Sequence, residues 1–174
     1  FKTPCKYEVL RRASIFAFFS GLRRGDILAL EWKDYEKDYH GKPTFRIVTK
    51  KTGAVSHHPV SAEAMDACGP VGDGLIFKGL TLSMTTITFK KWVTDAGISK
   101  PVTFHTLRHT YATLLHENGN SLYTIQNLMI HLHPGTTVQY ICNSDALARK
   151  AVDNLHLQPS RIKRIWSKVR KLFK

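Results

Sequence analysis

The stretch 103-TFHTLRHTYATLL-115 places two imidazoles and a guanidinium very close together in the chain. His105 and Arg108 stand three residues apart, so on a helix they are neighbours on one face, near the positive end of the helix dipole. Arginine donates planar, bidentate hydrogen bonds that match a phosphate, and histidine can donate or transfer a proton. The pair therefore suits chemistry at a phosphodiester. From this turn alone, the favoured alternative is that Arg108 caps a neighbouring helix and His105 is a surface group.

A metal site is a second alternative, because His105 and His109 stand at positions i and i+4. The metalloprotease signature requires a Glu directly after the first His, but Thr106 occupies that position. A guanidinium on the neighbouring Arg108 would also repel a cation. The sequence therefore predicts no metal ligands and no cofactor.

The pattern of apolar residues predicts the elements that must position this turn. Helical spacing and helix-stop residues indicate helices over 7–19, 24–32, 83–98, 105–118, 121–131 and 145–154. The β-branched segments 44–50 and 54–61 flank Lys51, Thr52 and Gly53, which predicts a hairpin with a lysine at its tip. The predicted fold class is α+β, mostly helical with a small antiparallel sheet.

Length and charge limit the classes of function. The 174 residues suit one domain with a sizeable core. Lys and Arg total 26 against 13 acids, a formal net charge of +13. This excess indicates a polyanionic partner, nucleic acid before membrane, although a solvated basic surface is the open alternative.

The cysteines and the apolar runs indicate the compartment. Cys5, Cys68 and Cys142 are odd in number and form no C-x-x-C pair, so we expect neither a disulfide framework nor a zinc finger. No run approaches the ~20 apolar residues that span a bilayer, and no signal-peptide pattern is present. We expect a cytoplasmic protein. Because the chain starts at Phe1 and its earliest Met is Met65, we also expect a piece of a longer protein.

Three segments occur in a fixed order, namely 20-SGLRRGDILAL-30, 103-TFHTLRHTYATLLHENG-119 and 128-LMIHLHPGTTVQY-140. Together they resemble the first arginine box, the H-x-x-R box and the tyrosine box of the tyrosine recombinase, or phage integrase, family. In the third box Tyr140 follows His131 by nine residues, as the family requires. Each box is weak evidence alone, but three in order are strong. The resemblance covers roughly Phe16 to Leu155.

The resemblance implies a role for each site residue. Arg23 and Arg108 would clamp the phosphate, while His105 and His131 would handle protons and hydrogen-bond the phosphate or the nucleophile. Lys51 would protonate the leaving 5′ oxygen, and Tyr140 would be the nucleophile. The predicted catalytic residues are Arg23, Lys51, His105, Arg108, His131 and Tyr140.

Neighbouring residues of the same types are the alternatives to these assignments. Arg24 is assigned to solvent or to the DNA backbone. Lys50 competes with Lys51, but strand alternation turns it to the opposite face. Tyr111 and Tyr123 are interpreted as core or surface aromatics, with Tyr111 on the apolar stripe of Leu107, Leu114 and Leu115.

Two departures from the family pattern lie in the third box. Ile130 replaces the usual glycine before His131, which puts the role of His131 and part of the activity in doubt. His133 and Pro134 occupy a loop that is commonly serine-rich in the family, and His133 is assigned to the surface.

The expected function is that of a site-specific DNA recombinase, or integrase, for a mobile element. Residues 1–158 would form the catalytic domain, 159–174 a basic amphipathic tail, and an N-terminal DNA-binding domain would be missing from the chain. The expected partners are double-stranded DNA and further copies of the protein in a tetrameric synapse, joined through the tail. A membrane-surface helix or a tail folded on its own domain is the alternative for 161–174. A catalytically impaired DNA-binding module and a type IB topoisomerase are the alternative functions.

Overall fold

The computed structural model describes residues 3–48, 53 and 55–129. In this part the fold belongs to the predicted α+β class, with most elements helical and one small antiparallel sheet. Lys51, His131 and Tyr140 lie outside the described residues, as do the predicted helix 145–154 and the tail.

Helices dominate the described part of the chain. The α-helices are α1 (Glu8–Ser20), α2 (Arg24–Ala29), α3 (Ala62–Cys68), α4 (Phe89–Asp95), α5 (Phe104–Glu117) and α6 (Leu122–Leu128). A 3-10 turn covers Trp32–Asp34, and a π-helical turn, Met84–Thr88, runs directly into α4.

The sheet has three strands in the order β1 (Tyr35–Lys37), β2 (Pro43–Val48) and β3 (Val55–Pro59). Both pairings are antiparallel, and Phe45 of β2 stands opposite His58 of β3. The predicted hairpin around residues 51–53 is therefore confirmed as the β2–β3 pair. β1 was not predicted, because a three-residue strand is too short to show alternation.

The main core lies between α1, the sheet, α3 and the start of α5. Phe16 of α1 is fully buried, and its ring meets Phe45 edge-on at 5.9 Å and Phe77 at 5.3 Å between ring centroids. Edge-on aromatic pairs of this kind add to the free energy gained by burying apolar area. A second, smaller cluster of Ala112, Ile125 and Met129 joins α5 to α6.

Side-chain caps and a glycine set the helix ends that matter for the site. The Gly21 backbone at φ +65° ends α1, and its N–H donates to the Ala17 carbonyl at 3.0 Å. Thr103 and Thr106 form a capping box at the start of α5. The Ser121 hydroxyl accepts the Thr124 N–H at 3.1 Å at the start of α6.

Several predicted bounds differ from the structure. The predicted helix 24–32 ends at Ala29, and the predicted helix 83–98 begins with the π-helical turn and ends its α-helical part at Asp95. Ile87, an apolar residue within that predicted helix, is 74% exposed. Helix α3 was not predicted, although its N-cap, Ser61, accepts the Ala64 N–H at 3.3 Å.

Candidate active site

The first predicted phosphate clamp lies in the short connection between α1 and α2. Leu22 is buried in the core with 1% of its surface exposed, which fixes the connection between Gly21 and α2. Arg23 follows as the N-cap residue of α2 and is half-buried, whereas Arg24 is exposed. In the sequence Gly-Leu-Arg, Gly21 therefore forms the turn, Leu22 packs into the core and Arg23 places a positive charge at the start of α2.

The second group of predicted site residues lies on the first two turns of α5. Phe104 and Leu107 pack into the main core, so this part of the helix is held firmly. His105 faces outward and is exposed, and its ring lies 4.9 Å from the ring of His109, measured between centroids. Arg108 lies on the inner side and is only 2% exposed.

Arg108 joins three helices through backbone carbonyls. Its guanidinium donates one hydrogen bond to the carbonyl of Gly21, the C-cap residue of α1, and another to that of Met129, the C-cap residue of α6. Carbonyl groups at helix ends lack partners within the helix, so a cation there stabilises both ends. The helix-capping interpretation of Arg108 is therefore confirmed.

The two boxes come together in space although more than 80 residues separate them in sequence. Although His105 is exposed, the partial burial of its imidazole lowers its pKa most, and the positive charges of His109, Arg108, Arg23 and Arg24 lower it further. The pKa of His109 is also lowered, by burial and by Arg108. A neutral imidazole beside several guanidiniums has a lone pair for a proton, while the guanidiniums favour an anion.

A groove of about 850 Å³ adjoins this cluster. It runs from the start of α2 past the π-helical turn and α4 to the start of α5, and the described residues that line it include no acid. Its charged and titratable lining residues are Arg23, Arg24, Lys90, Lys100 and His105. Thr86 and Thr94 are exposed and their hydroxyls donate to backbone carbonyls, while apolar residues such as Val93, Ile98 and Val102 also line the groove. A groove with cations, hydroxyls and no acid is suited to a polyanion.

His58 belongs to the same neighbourhood but was not predicted as a site residue. It lies on β3 with 1% of its surface exposed, and its Nε2–H donates to the Ser20 carbonyl at 2.8 Å. Burial lowers the pKa of His58 to about 4, with a further lowering from Arg108 that the bond to Ser20 opposes. In the sequence, His58 falls within the predicted strand 54–61 and was given no role. A histidine at an inward position of a strand is the signal that could have identified it.

The sequence-predicted residues therefore fall into two groups. The structure brings Arg23, His105 and Arg108 together and says nothing of Lys51, His131 and Tyr140, which lie outside the described residues. Of the tyrosines assigned to ordinary packing, Tyr111 lies against Gly21 and Tyr123 is 72% exposed. Leu114, which was placed on the apolar stripe, is 37% exposed.

The described ranges contain neither a metal-binding group of side chains nor a membrane-spanning helix. In residues 3–48, 53 and 55–129, no group of three or more His, Cys, Asp or Glu side chains could hold a metal ion. Over the same ranges, no helix combines the length and the apolar character that a bilayer crossing needs.

Residues 79–146 match the phage integrase family. Among curated proteins, the chain is 30% identical over 166 residues to the tyrosine recombinase XerC of Chlamydia caviae, covering 87% of this chain and 53% of that protein. It is 48% identical over 52 residues to an integrase/recombinase of Escherichia coli, covering 30% of this chain and 15% of the relative. The chain thus spans about half, or less, of the length of these relatives.

The fold is similar to those of solved recombinases. The XerH site-specific recombinase in a pre-cleavage complex with difH superimposes with a TM-score of 0.68 and 21% identity, over 89% of this chain and 50% of that one. A lambda integrase dimer bound to a core site superimposes with a TM-score of 0.62 and 25% identity, over 76% of this chain and 51% of the other. These likenesses establish the fold class of the chain.

Proposed function

Because this chain carries a domain of the tyrosine recombinase family, we propose that it is the catalytic domain of a site-specific DNA recombinase. The observation that carries the proposal is the convergence of Arg23, His105 and Arg108 from two distant boxes into one positively charged site. Substrate, reaction and partners of the whole protein are part of the proposal.

Arg23 and Arg108 are proposed to bind the two non-bridging oxygens of the scissile phosphate. Negative charge on these oxygens rises in the pentacoordinate transition state, so preorganised guanidiniums stabilise that state more than the ground state. Arg108 is preorganised by its bonds to the Gly21 and Met129 carbonyls, which prevent the long side chain from sampling other rotamers. Neutral His105 beside them is proposed to hydrogen-bond the phosphate and to handle a proton.

Tyr140 is the proposed nucleophile, on the basis of its spacing from His131. Its phenolic proton would pass to the neutral His105 imidazole while its oxygen bonds to phosphorus and the bond from phosphorus to the 5′ oxygen breaks. Lys51 would transfer a proton to that 5′ oxygen, and His131 would hydrogen-bond the phosphate or Tyr140. The product is a 3′-phosphotyrosine, which keeps the energy of the cleaved bond and can be reversed by a DNA hydroxyl without ATP.

The basic groove is proposed to hold the DNA backbone beside the scissile phosphate. Arg24, Lys90 and Lys100 are exposed cations on its rim, and the XerH and lambda integrase structures that share the fold contain DNA. Contacts of this type supply affinity without sequence information. Duplex DNA is therefore the proposed partner, and the cytoplasm is the proposed place of reaction.

Residues 1–158 are proposed to form the catalytic domain and 159–174 a tail that docks on a neighbouring copy within a tetramer. Seven basic residues and no acid occur in 161–174, together with six apolar or aromatic ones. Deleting 161–174 tests the assignment. A truncated chain that binds DNA but no longer forms multimers on it supports docking, whereas unchanged multimers would favour contacts with DNA, lipid or its own domain.

Two other functions predict different products. An integrase-derived binding module, impaired by Ile130, would bind DNA without cutting it. A type IB topoisomerase would relax supercoiled plasmid without a preferred site. The proposed recombinase, serving a mobile element, would instead join strands of two duplexes that share a target site.

Strand exchange between two duplexes of different length tests the proposed function. The duplexes should carry a site selected from a randomised pool by binding to this chain, with EDTA present and no ATP. We expect recombinant strands of the two hybrid lengths, since no metal or nucleotide takes part in the proposed step. Relaxation of any supercoiled plasmid without strand exchange would favour the topoisomerase, and binding without any cut strand would favour the binding module.

A further inference from the structure

His58 links the sheet to the turn that carries Arg23. Its ring is buried on β3, and its Nε2–H donates a hydrogen bond to the Ser20 carbonyl at 2.8 Å. Ser20 is the last residue of α1 and is itself fully buried. Arg23 follows three residues later. A strand and a helix end are thus joined at the place where the chain turns toward the phosphate clamp.

Two adjacent carbonyls at this helix end are held by two different elements. His58 from β3 donates to Ser20, and Arg108 from α5 donates to Gly21. Each bond satisfies a carbonyl that the end of α1 leaves without a helical partner. Together they fix the direction in which the chain leaves α1, because a rotation of either peptide would break one bond.

The same strand pair carries the segment with Lys51. Phe45 of β2 is the cross-strand neighbour of His58, and β2 and β3 are the strands on either side of residues 49–54. The hydrogen bond from His58 of β3 to Ser20 therefore joins the described part of this strand pair to the turn that carries Arg23. Apolar packing of Phe45 on Phe16 holds β2 against α1. Apolar packing alone does not fix one position of the strand along the helix.

Resting on the proposed function, we propose that His58 is a positioning residue, which fixes the Ser20–Arg23 turn against strand β3 so that Arg23 and Arg108 meet the same phosphate. It touches no reacting atom. His58 acts as a neutral hydrogen-bond donor, and the neighbouring Arg108 cation favours this neutral form. Loss of the hydrogen bond to Ser20 should increase the mobility of the turn while the domain stays folded.

His58→Leu removes the donor at similar volume, and His58→Gln retains an N–H donor near the position of Nε2. In DNA-free protein we expect the Leu22, Asp26 and Ile27 amides to exchange with deuterium about tenfold faster in His58→Leu and near the wild-type rate in His58→Gln. The Thr124 and Met129 amides of α6 serve as the internal control and should not change.

On a nicked duplex, the single-turnover cleavage rate of His58→Leu should fall about 10- to 100-fold, the scale of a misplaced catalytic group, with DNA affinity within about twofold of wild type. His58→Gln should restore most of the rate. If His58→Leu does not fold, His58→Met takes its place, because its flexible side chain fills irregular space.

Unchanged exchange of the turn amides, or wild-type cleavage by the apolar variant, would overturn the positioning role. A wild-type chain that cleaves no DNA would instead overturn the proposed function. The exchange experiment contains no DNA, so it decides whether His58 anchors the turn in either case.

Discussion

Gly21 and Tyr111 share one space, because the Tyr111 ring lies where a side chain on Gly21 would begin. A Cβ built on Gly21 would overlap the Cδ1 atom of the ring, and the Gly21 backbone has φ +65°. Both the left-handed conformation and the close approach of the ring therefore require glycine. The turn before Arg23 is thus held from outside by an aromatic ring of α5 and from inside by hydrogen bonds to its carbonyls.

Gly21→Ala should lower the free energy of unfolding by about 2–5 kcal/mol. A left-handed conformation costs a non-glycine residue about 1–2 kcal/mol, and displacing a packed ring costs about 1–3 kcal/mol. Urea denaturation followed by circular dichroism measures the change. Gly25→Ala is the matched control, because a Cβ at Gly25 meets no atom within 4 Å and Gly25 lies within α2. Equal stability of the two variants would contradict the account of the turn.

Arg108→Lys should lose both stability and any strand cleavage. An ammonium cannot bind the Gly21 and Met129 carbonyls and a phosphate with the same planar geometry, and each buried carbonyl left without a donor costs about 1–3 kcal/mol. Arg24→Lys, at an exposed position, should change stability by less than about 0.5 kcal/mol. A destabilised Arg108→Lys variant that still cleaves DNA at the wild-type rate would remove Arg108 from the clamp.

Stability should fall as the pH is lowered from about 6.5 toward about 4. The pKa of buried His58 is lowered to about 4 from an ordinary value of 6.5, so between these values the unfolded chain binds a proton that the folded chain refuses. The contribution of His58 to the free energy of unfolding is fully present above pH 6.5. Near pH 4 it is smaller by on the order of 3 kcal/mol.

His105 and His109 act in the same direction, because their pKa values are also lowered. Denaturation curves at several pH values compare wild type with His58→Gln, which has no titrating group at this position. If both proteins lose the same stability on acidification, His58 is not the buried titrating group. Arg108 is the charged group that lowers the pKa of His58 from the side of α5.

Binding to duplex DNA should weaken steeply with salt. Each phosphate neutralised by a cation contributes about −0.9 to the slope of log affinity against log salt. The double variant Lys90→Gln, Lys100→Gln removes two rim cations of the groove and should make the slope shallower by up to about 2. Lys33→Gln is the control, because it removes one lysine charge outside that groove. Its slope should equal the wild-type slope. Fluorescence anisotropy with a labelled duplex measures the slopes, and identical slopes would exclude the groove as the DNA surface.

The sequence predicted those parts of the fold that have a strong local signal. A long apolar helix that stops at Ser20 and Gly21, the helix that carries His105 and Arg108, and the hairpin were all recognised from spacing and turn residues. β1 and α3 were missed because three and seven residues carry little periodicity. The π-helical turn has no simple sequence signature.

The sequence predicted which residues belong to the candidate site but not the hydrogen bonds that hold them in place. That Arg23 and Arg108 would lie near each other followed from the resemblance, but the carbonyl partners of Arg108 depend on where α1 and α6 end in space. His58 was missed for the same reason, because its partner is Ser20, 38 residues earlier in the chain. Local patterns cannot reveal a bond between distant segments.

Covalent capture of DNA by Tyr140 tests the central claim most directly. The substrate is a pool of duplexes with randomised sequence, each nicked so that cleavage just upstream releases a short fragment with a 5′ hydroxyl. Loss of that fragment removes the nucleophile for religation, so we predict a protein–DNA adduct that survives denaturing electrophoresis and forms in excess EDTA. Tyr140→Phe should form no adduct while its DNA affinity stays within about twofold, since it lacks only a hydroxyl. An adduct formed equally by Tyr140→Phe, or no adduct from wild type at low salt, would contradict the account.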